Sequence, residues 1–209
     1  MAEDRGEAAL PPADLARRVL SLRAVPKGGP WWRIHRVGAG PCHFSEDASN
    51  RFSAHGLGVL YLATADVTAF WEVFWDDLGT RPPGERRISH ARLNARAVCS
   101  ASLQRPVAVF DATDPRSLKA VSAPTATFSG PYAVCQAWAG ALATHPSEPG
   151  GLLYPSARHK DGVCLALFAA RVACKDLRFG AGTRVGDRAQ ILDDIARDDV
   201  QVLYDGDGV

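Results

Sequence analysis

Five residues have side chains suited to ionic or hydrogen-bonding chemistry and fall where structural elements should meet: Arg33, Arg51, Tyr61, Glu72 and Ser156. Glu72 lies in the segment VTAFWEVFWDDL. At about 100° per residue, Val67, Phe70, Trp71, Phe74, Trp75 and Leu78 cover an arc of roughly 140° there, with Glu72 about 60° beyond Trp75. A carboxylate on the edge of so wide an apolar face is partly desolvated and held still, whereas Asp76 points to water. Arg51 sits in a turn that leads into the apolar strand GVLYLA, which carries Tyr61. Arg33 emerges from WWRIHR, an aromatic-rich strand whose alternation puts Trp32, Ile34 and Arg36 on one face and Trp31, Arg33 and His35 on the other. Ser156, Arg158 and His159 are presented where the strand GLLYP runs out into a polar loop. Taken singly, each has an ordinary structural explanation: surface arginines, a core tyrosine, a helix-flank glutamate.

Other chemistries are poorly served. Cys42-His43 is the only adjacent cysteine–histidine pair, and no second pair has zinc-site spacing, so no metal site is expected. Cys99, Cys135, Cys164 and Cys174 lie among apolar or small residues and read as small core side chains. GAGP lacks both the Gly-Lys-Ser/Thr ending of a P-loop and the GxGxxG spacing, and RFGAGTRVGD matches no nucleotide fingerprint. YPSAR lacks the glycines of a nucleophile elbow.

The elements that must position these residues follow from pattern. The segment ADLARRVLSL, with Leu15, Val19 and Leu22 at helical spacing, predicts a short packing helix within an N-terminal section covering 1–28. Strands are expected at WWRIHR and GVLYLA, then a helix with Asp66 as N-cap. GTRPPGERR reads as an exposed loop. One or two strands follow between 95 and 111, a helix begins at Asp114-Pro115, and another begins near Pro131. GLLYP and VCLALF are strands flanking a polar loop, and RAQILDDIAR and VQVLY supply a last helix and strand.

The 209 residues, 46% apolar and 22% charged, suffice for one domain of 1–209 burying roughly 70% of its unfolded surface. A net charge of +1, with neither sign in a long block, gives no general nucleic-acid or membrane surface. The acidic start is no secretory signal, and the longest apolar run is too short to span a bilayer. Five cysteines, an odd number without a CxxC pair, point to a reducing compartment, the cytoplasm.

The order WWRIHR, NRFSAHGLGVLYLA, TAFWEVF and LLYPSARH with VCLALF resembles the RES-domain family, the toxins of bacterial RES/Xre toxin–antitoxin pairs, over roughly residues 31–168. The resemblance implies an α+β fold, a mixed central β-sheet with flanking helices in an ADP-ribosyltransferase-like single domain. It implies NAD+ as substrate rather than cofactor, cleaved at the nicotinamide–ribose bond by phosphorolysis, with inorganic phosphate, or by hydrolysis. Transfer of ADP-ribose to a protein is the alternative; a non-catalytic interaction module is the alternative of another class. It also implies an Xre-like helix-turn-helix antitoxin as partner. Carried over by motif, Glu72, Arg51, Tyr61 and Ser156 are the catalytic candidates, and Arg33, Arg51, Tyr61 and Ser156 bind NAD+. One departure is visible: many members have Gly-Arg, an aromatic and Asn, where this chain has Asn50-Arg51-Phe52-Ser53.

Overall fold

The computed structural model describes residues 9–204; the acidic leader at 1–8 lies outside them. Strands β1 (Leu22–Val25), β2 (Gly28–Arg36) and β3 (Val59–Ala63) precede helix α1 (Asp66–Leu78). Then come β4 (Arg86–Ser89), α2 (His90–Asn94), β5 (Arg96–Leu103), β6 (Val107–Asp111), α3 (Pro115–Ala120) and α4 (Tyr132–Ala143). The chain continues through β7 (Gly151–Pro155), β8 (Val163–Phe168), β9 (Leu177–Phe179), β10 (Thr183–Arg184), α5 (Ala189–Arg197) and β11 (Val200–Leu203).

Nine strands form one mixed sheet in the order β1-β6-β7-β8-β3-β2-β5-β10, with β9 also on β5. Its pairings are antiparallel except β6 with β7, which run parallel. Parallel neighbours need a long crossover, and α3 and α4 supply it. The helices gather on one face, where Phe70 and Phe74 of α1, Leu118 of α3, Trp138 of α4 and Ile191 of α5 cover Val59, Ala63, Leu152 and Tyr154. Burying each such phenylalanine is worth about 1.5–3 kcal/mol, so the apolar stripe of α1 fixes that helix against the sheet. The opposite face packs Leu60, Leu62, Leu165 and Leu167 with Ala101, Leu103 and Trp31. This is the α+β mixed sheet with flanking helices expected from the sequence.

Four local expectations need correction. The helix expected over ADLARRVLSL is a single 3-10 turn at Leu15–Arg17, followed by the edge strand β1 on β6. Val19 is 86% exposed; so short a helix is marginal alone, and the open ladder of β6 offers residues 22–25 backbone partners instead. Asp66 is the first helical residue rather than the N-cap, a place taken by Ala65. Its carboxylate accepts from the Val67 amide at 2.9 Å and pairs with Arg188 at 3.2 Å. The expected GTRPPGERR loop ends early, because Arg86 and Arg87 enter β4, which pairs in parallel with β11.

Cysteine is the fourth. Cys99, Cys135 and Cys164 are buried, but Cys174 is exposed and forms a disulfide with Cys42. An odd count accommodates one bridge and three free thiols, so parity is no argument for a reducing compartment. No helix of the described residues is long and apolar enough to cross a membrane.

Candidate functional site

Strand β3, helix α1, the end of β7 and the turn at 51–53 deliver four of the five candidates to the helix-covered face of the sheet. Tyr61 points there because it belongs to the same alternating set as Val59 and Ala63. Its hydroxyl accepts from the Phe52 amide at 3.0 Å and shares a 2.9 Å hydrogen bond with Ser53 Oγ, while its ring stacks with Phe52. Burial pushes its pKa up to about 12 against the opposing pull of Ser53 and Phe52. Tyr61 is therefore a neutral phenol at ordinary pH, a hydrogen-bonding brace rather than a base.

That brace holds the turn carrying Arg51, which is only 8% exposed. Its Nη1 donates to the Gly130 carbonyl at 3.1 Å, and its guanidinium lies 5.0 Å from the centre of the Tyr132 ring. The turn that departs from the commoner family pattern is thus internally satisfied, with Ser53 bonded to Tyr61.

Glu72 lies at the half-buried flank of α1, as its place on the helical wheel requires. Its Oε1 accepts a 2.5 Å hydrogen bond from Ser156 Oγ, which in turn accepts from the Arg158 and His159 amides at 3.1 and 2.9 Å. The hydroxyl proton is committed to the carboxylate by those two donors, so Ser156 orients Glu72. Glu72 and Arg51 both lie near Tyr154, which is 2% exposed and edge-on to Phe52 with ring centres 4.7 Å apart. Burial raises its pKa well above the usual range; Cys164, Glu72 and Tyr61 add to this, and Arg51 opposes it. Burial likewise raises the Cys164 thiol, with Glu72 adding and Arg51 opposing. The carboxylate and the guanidinium thus act on the same two buried groups.

Arg33 reaches the site differently. It shares the side of Trp31, and β2 meets β3 at a single register pair, Trp32 with Ala63. Its Nη1 donates to the Tyr61 carbonyl and its Nη2 to the His43 carbonyl, both at 3.0 Å, leaving a buried Nε without a partner. Burial lowers its pKa to about 10, so it remains a cation at neutral pH. The structure brings Arg51, Tyr61, Glu72 and Ser156 together and ties Arg33 to the backbone behind Tyr61.

Sequence reasoning did not single out Tyr154, Tyr132 or Thr68, and named Phe52 and Ser53 only as a departure from the family pattern. For Tyr154 a signal existed: two residues before Ser156 on a strand, it shares that residue's side. A surface depression of about 550 Å³ lined by Gly29, Pro30, Ser100, Ser102, Arg178 and Gly180 lies along β5 and β9. No carboxylate lines it. Among the described residues, no group of three or more His, Cys, Asp or Glu is placed to hold a metal ion.

The sequence profile of the RES domain matches residues 30–182. This chain belongs to the RES domain family. The matched span of this RES domain contains Arg33, Arg51, Tyr61, Glu72 and Ser156, and β1, β10, α5 and β11 lie outside it. No curated protein matches the sequence. Among solved structures, the RES domain is similar to a chain of the crystal structure of the M. tuberculosis MbcT–MbcA toxin–antitoxin complex. The TM-score is 0.60 at 20% identity, covering 77% of this chain and 85% of that one, a likeness of fold.

Proposed function

We propose that this RES domain is the toxin of a toxin–antitoxin pair and consumes NAD+ by breaking the bond between nicotinamide and ribose. The observation that carries the reading is the 2.5 Å Ser156–Glu72 hydrogen bond, which fixes a carboxylate at the edge of an aromatic face. As nicotinamide leaves with the bonding pair, positive charge develops on the ribose, and an immobile carboxylate stabilises it or holds the ribose hydroxyls. Glu72 has that role. An oxygen of phosphate or of water then bonds to the anomeric carbon and gives up its proton to solvent, yielding ADP-ribose phosphorylated there or free ADP-ribose.

Arg51 supplies charge for the pyrophosphate, with its guanidinium kept in place by Gly130 and Tyr132. Arg33, anchored through two of its five N–H donors, is the second cation. Tyr61 packs beside the nicotinamide ribose and holds the Arg51 turn. Ser156 keeps Glu72 pointed at the reacting carbon. The likeness to a chain of a toxin–antitoxin complex supports an antitoxin protein as partner; its Xre-like helix-turn-helix type comes from the family resemblance, and NAD+ as substrate favours the cytoplasm.

Glu72→Gln tests the assignment because the amide keeps an acceptor for Ser156 while removing the charge. NAD+ turnover by the purified, folded variant should fall by ~100-fold or more, the scale of losing one transition-state electrostatic partner. Unchanged turnover would overturn the role of Glu72.

A further inference from the structure

The loop after β7 is bound to α1 at three successive levels. Thr68, Glu72 and Trp75 stand one above another on α1, at spacings of four and three residues. Thr68 Oγ1 is 2.9 Å from His159 Nδ1, Glu72 Oε1 accepts from Ser156 Oγ at 2.5 Å, and the Trp75 ring lies 5.1 Å beneath the Arg158 guanidinium. Gly162 allows the approach, since a Cβ there would come within 2.7 Å of Thr68 Cγ2. Residues 156–159 therefore form a strap whose backbone is fixed from Ser156 through two amide hydrogen bonds.

In this strap the Arg158 guanidinium differs from those of Arg33 and Arg51. Arg33 spends donors on two carbonyls and Arg51 on one. The Arg158 side chain has no hydrogen bond or carboxylate among the described residues, only the Trp75 face. Resting a planar cation on an indole keeps it extended while leaving all five N–H donors available. Trp75 is three residues beyond Glu72, about 4.5 Å along the helix axis. In NAD+ the pyrophosphate lies one ribose away from the bond that breaks.

We propose that Arg158 is a substrate-binding residue, a guanidinium held on Trp75 to grip the pyrophosphate while Glu72 faces the nicotinamide ribose. This rests on the NAD+ reading of the same site. Arg158 fixes the span between reacting carbon and phosphates, and so favours a dinucleotide over a bare nucleoside.

Calorimetric binding of ADP-ribose, which carries the pyrophosphate without the scissile bond, tests this apart from turnover. Arg158→Gln should weaken ADP-ribose roughly tenfold to hundredfold, the scale of charge-assisted hydrogen bonds, and Arg158→Lys should recover part of the loss. Wild-type affinity in Arg158→Gln, or a lysine variant as weak as the glutamine one, overturns the assignment. Should the wild type bind ADP-ribose through Arg158 yet leave NAD+ intact, the cleavage reading fails while the binding role stands. Absence of any ADP-ribose binding by the wild type would overturn the Arg158 assignment, with the cleavage reading judged by turnover alone.

Discussion

Removing the Tyr61 hydroxyl without its ring, by Tyr61→Phe, separates the brace from the aromatic packing. Two groups lose their partner: the Phe52 amide and Ser53 Oγ, both in residues with 0% exposure. Each buried, unsatisfied polar group costs about 1–3 kcal/mol, so Tyr61→Phe should destabilise the fold by about 2–6 kcal/mol. Ser53→Ala alone leaves the Phe52–Tyr61 bond intact and should cost about 1 kcal/mol. In the double variant no Ser53 oxygen remains to be orphaned, so the combined cost should fall about 1–2 kcal/mol short of the sum. Urea unfolding of the four proteins gives the cycle. A Tyr61→Phe cost below about 0.5 kcal/mol, or strict additivity, would refute the idea that this hydroxyl holds the Arg51 turn.

Two further consequences follow from the contacts. Ser156→Ala orphans two amides and releases Glu72, and turnover should fall roughly tenfold to hundredfold, whereas Ser156→Thr, which keeps the hydroxyl, should retain most of it; equal losses in steady-state assays would count against an orienting role. The Cys42–Cys174 bridge closes a loop across a sequence separation of 132 residues, so Cys174→Ser should lose about 2–4 kcal/mol in urea under oxidising conditions and nothing once a dithiol is added to both proteins.

Much of the fold was legible because local periodicity carried it. WWRIHR, VLYLA and the pair GLLYP and VCLALF alternate or run apolar as strands, and the aromatic spacing from Val67 to Leu78 admits only a helix with one buried face. Asp114 before Pro115 caps α3, its side chain accepting from the Arg116 amide. What failed depends on distant pairing. Leu22–Val25 is a strand because β6 lies beside it, and Arg86–Ser89 is one because β11 returns more than a hundred residues later. The cysteine pairing joins residues no spacing rule connects.

The site divides in the same way. Residue type and order nominated Glu72 and Ser156, but their contact crosses 84 residues, and only the folded chain puts the serine hydroxyl on the carboxylate. Alternation correctly separated Arg33 from Trp32, yet it held no information on the gap between β2 and β3 that the guanidinium fills. Tyr154 was hidden by being apolar in context, a tyrosine in a buried strand.

The most direct measurement is incubation of the purified protein with NAD+, with and without inorganic phosphate, followed by identification of the products. Release of nicotinamide is expected, together with ADP-ribose, phosphorylated at the anomeric carbon if phosphate is the nucleophile and free if water is. Intact NAD+ under both conditions, or label from NAD+ recovered only on protein, would contradict the account.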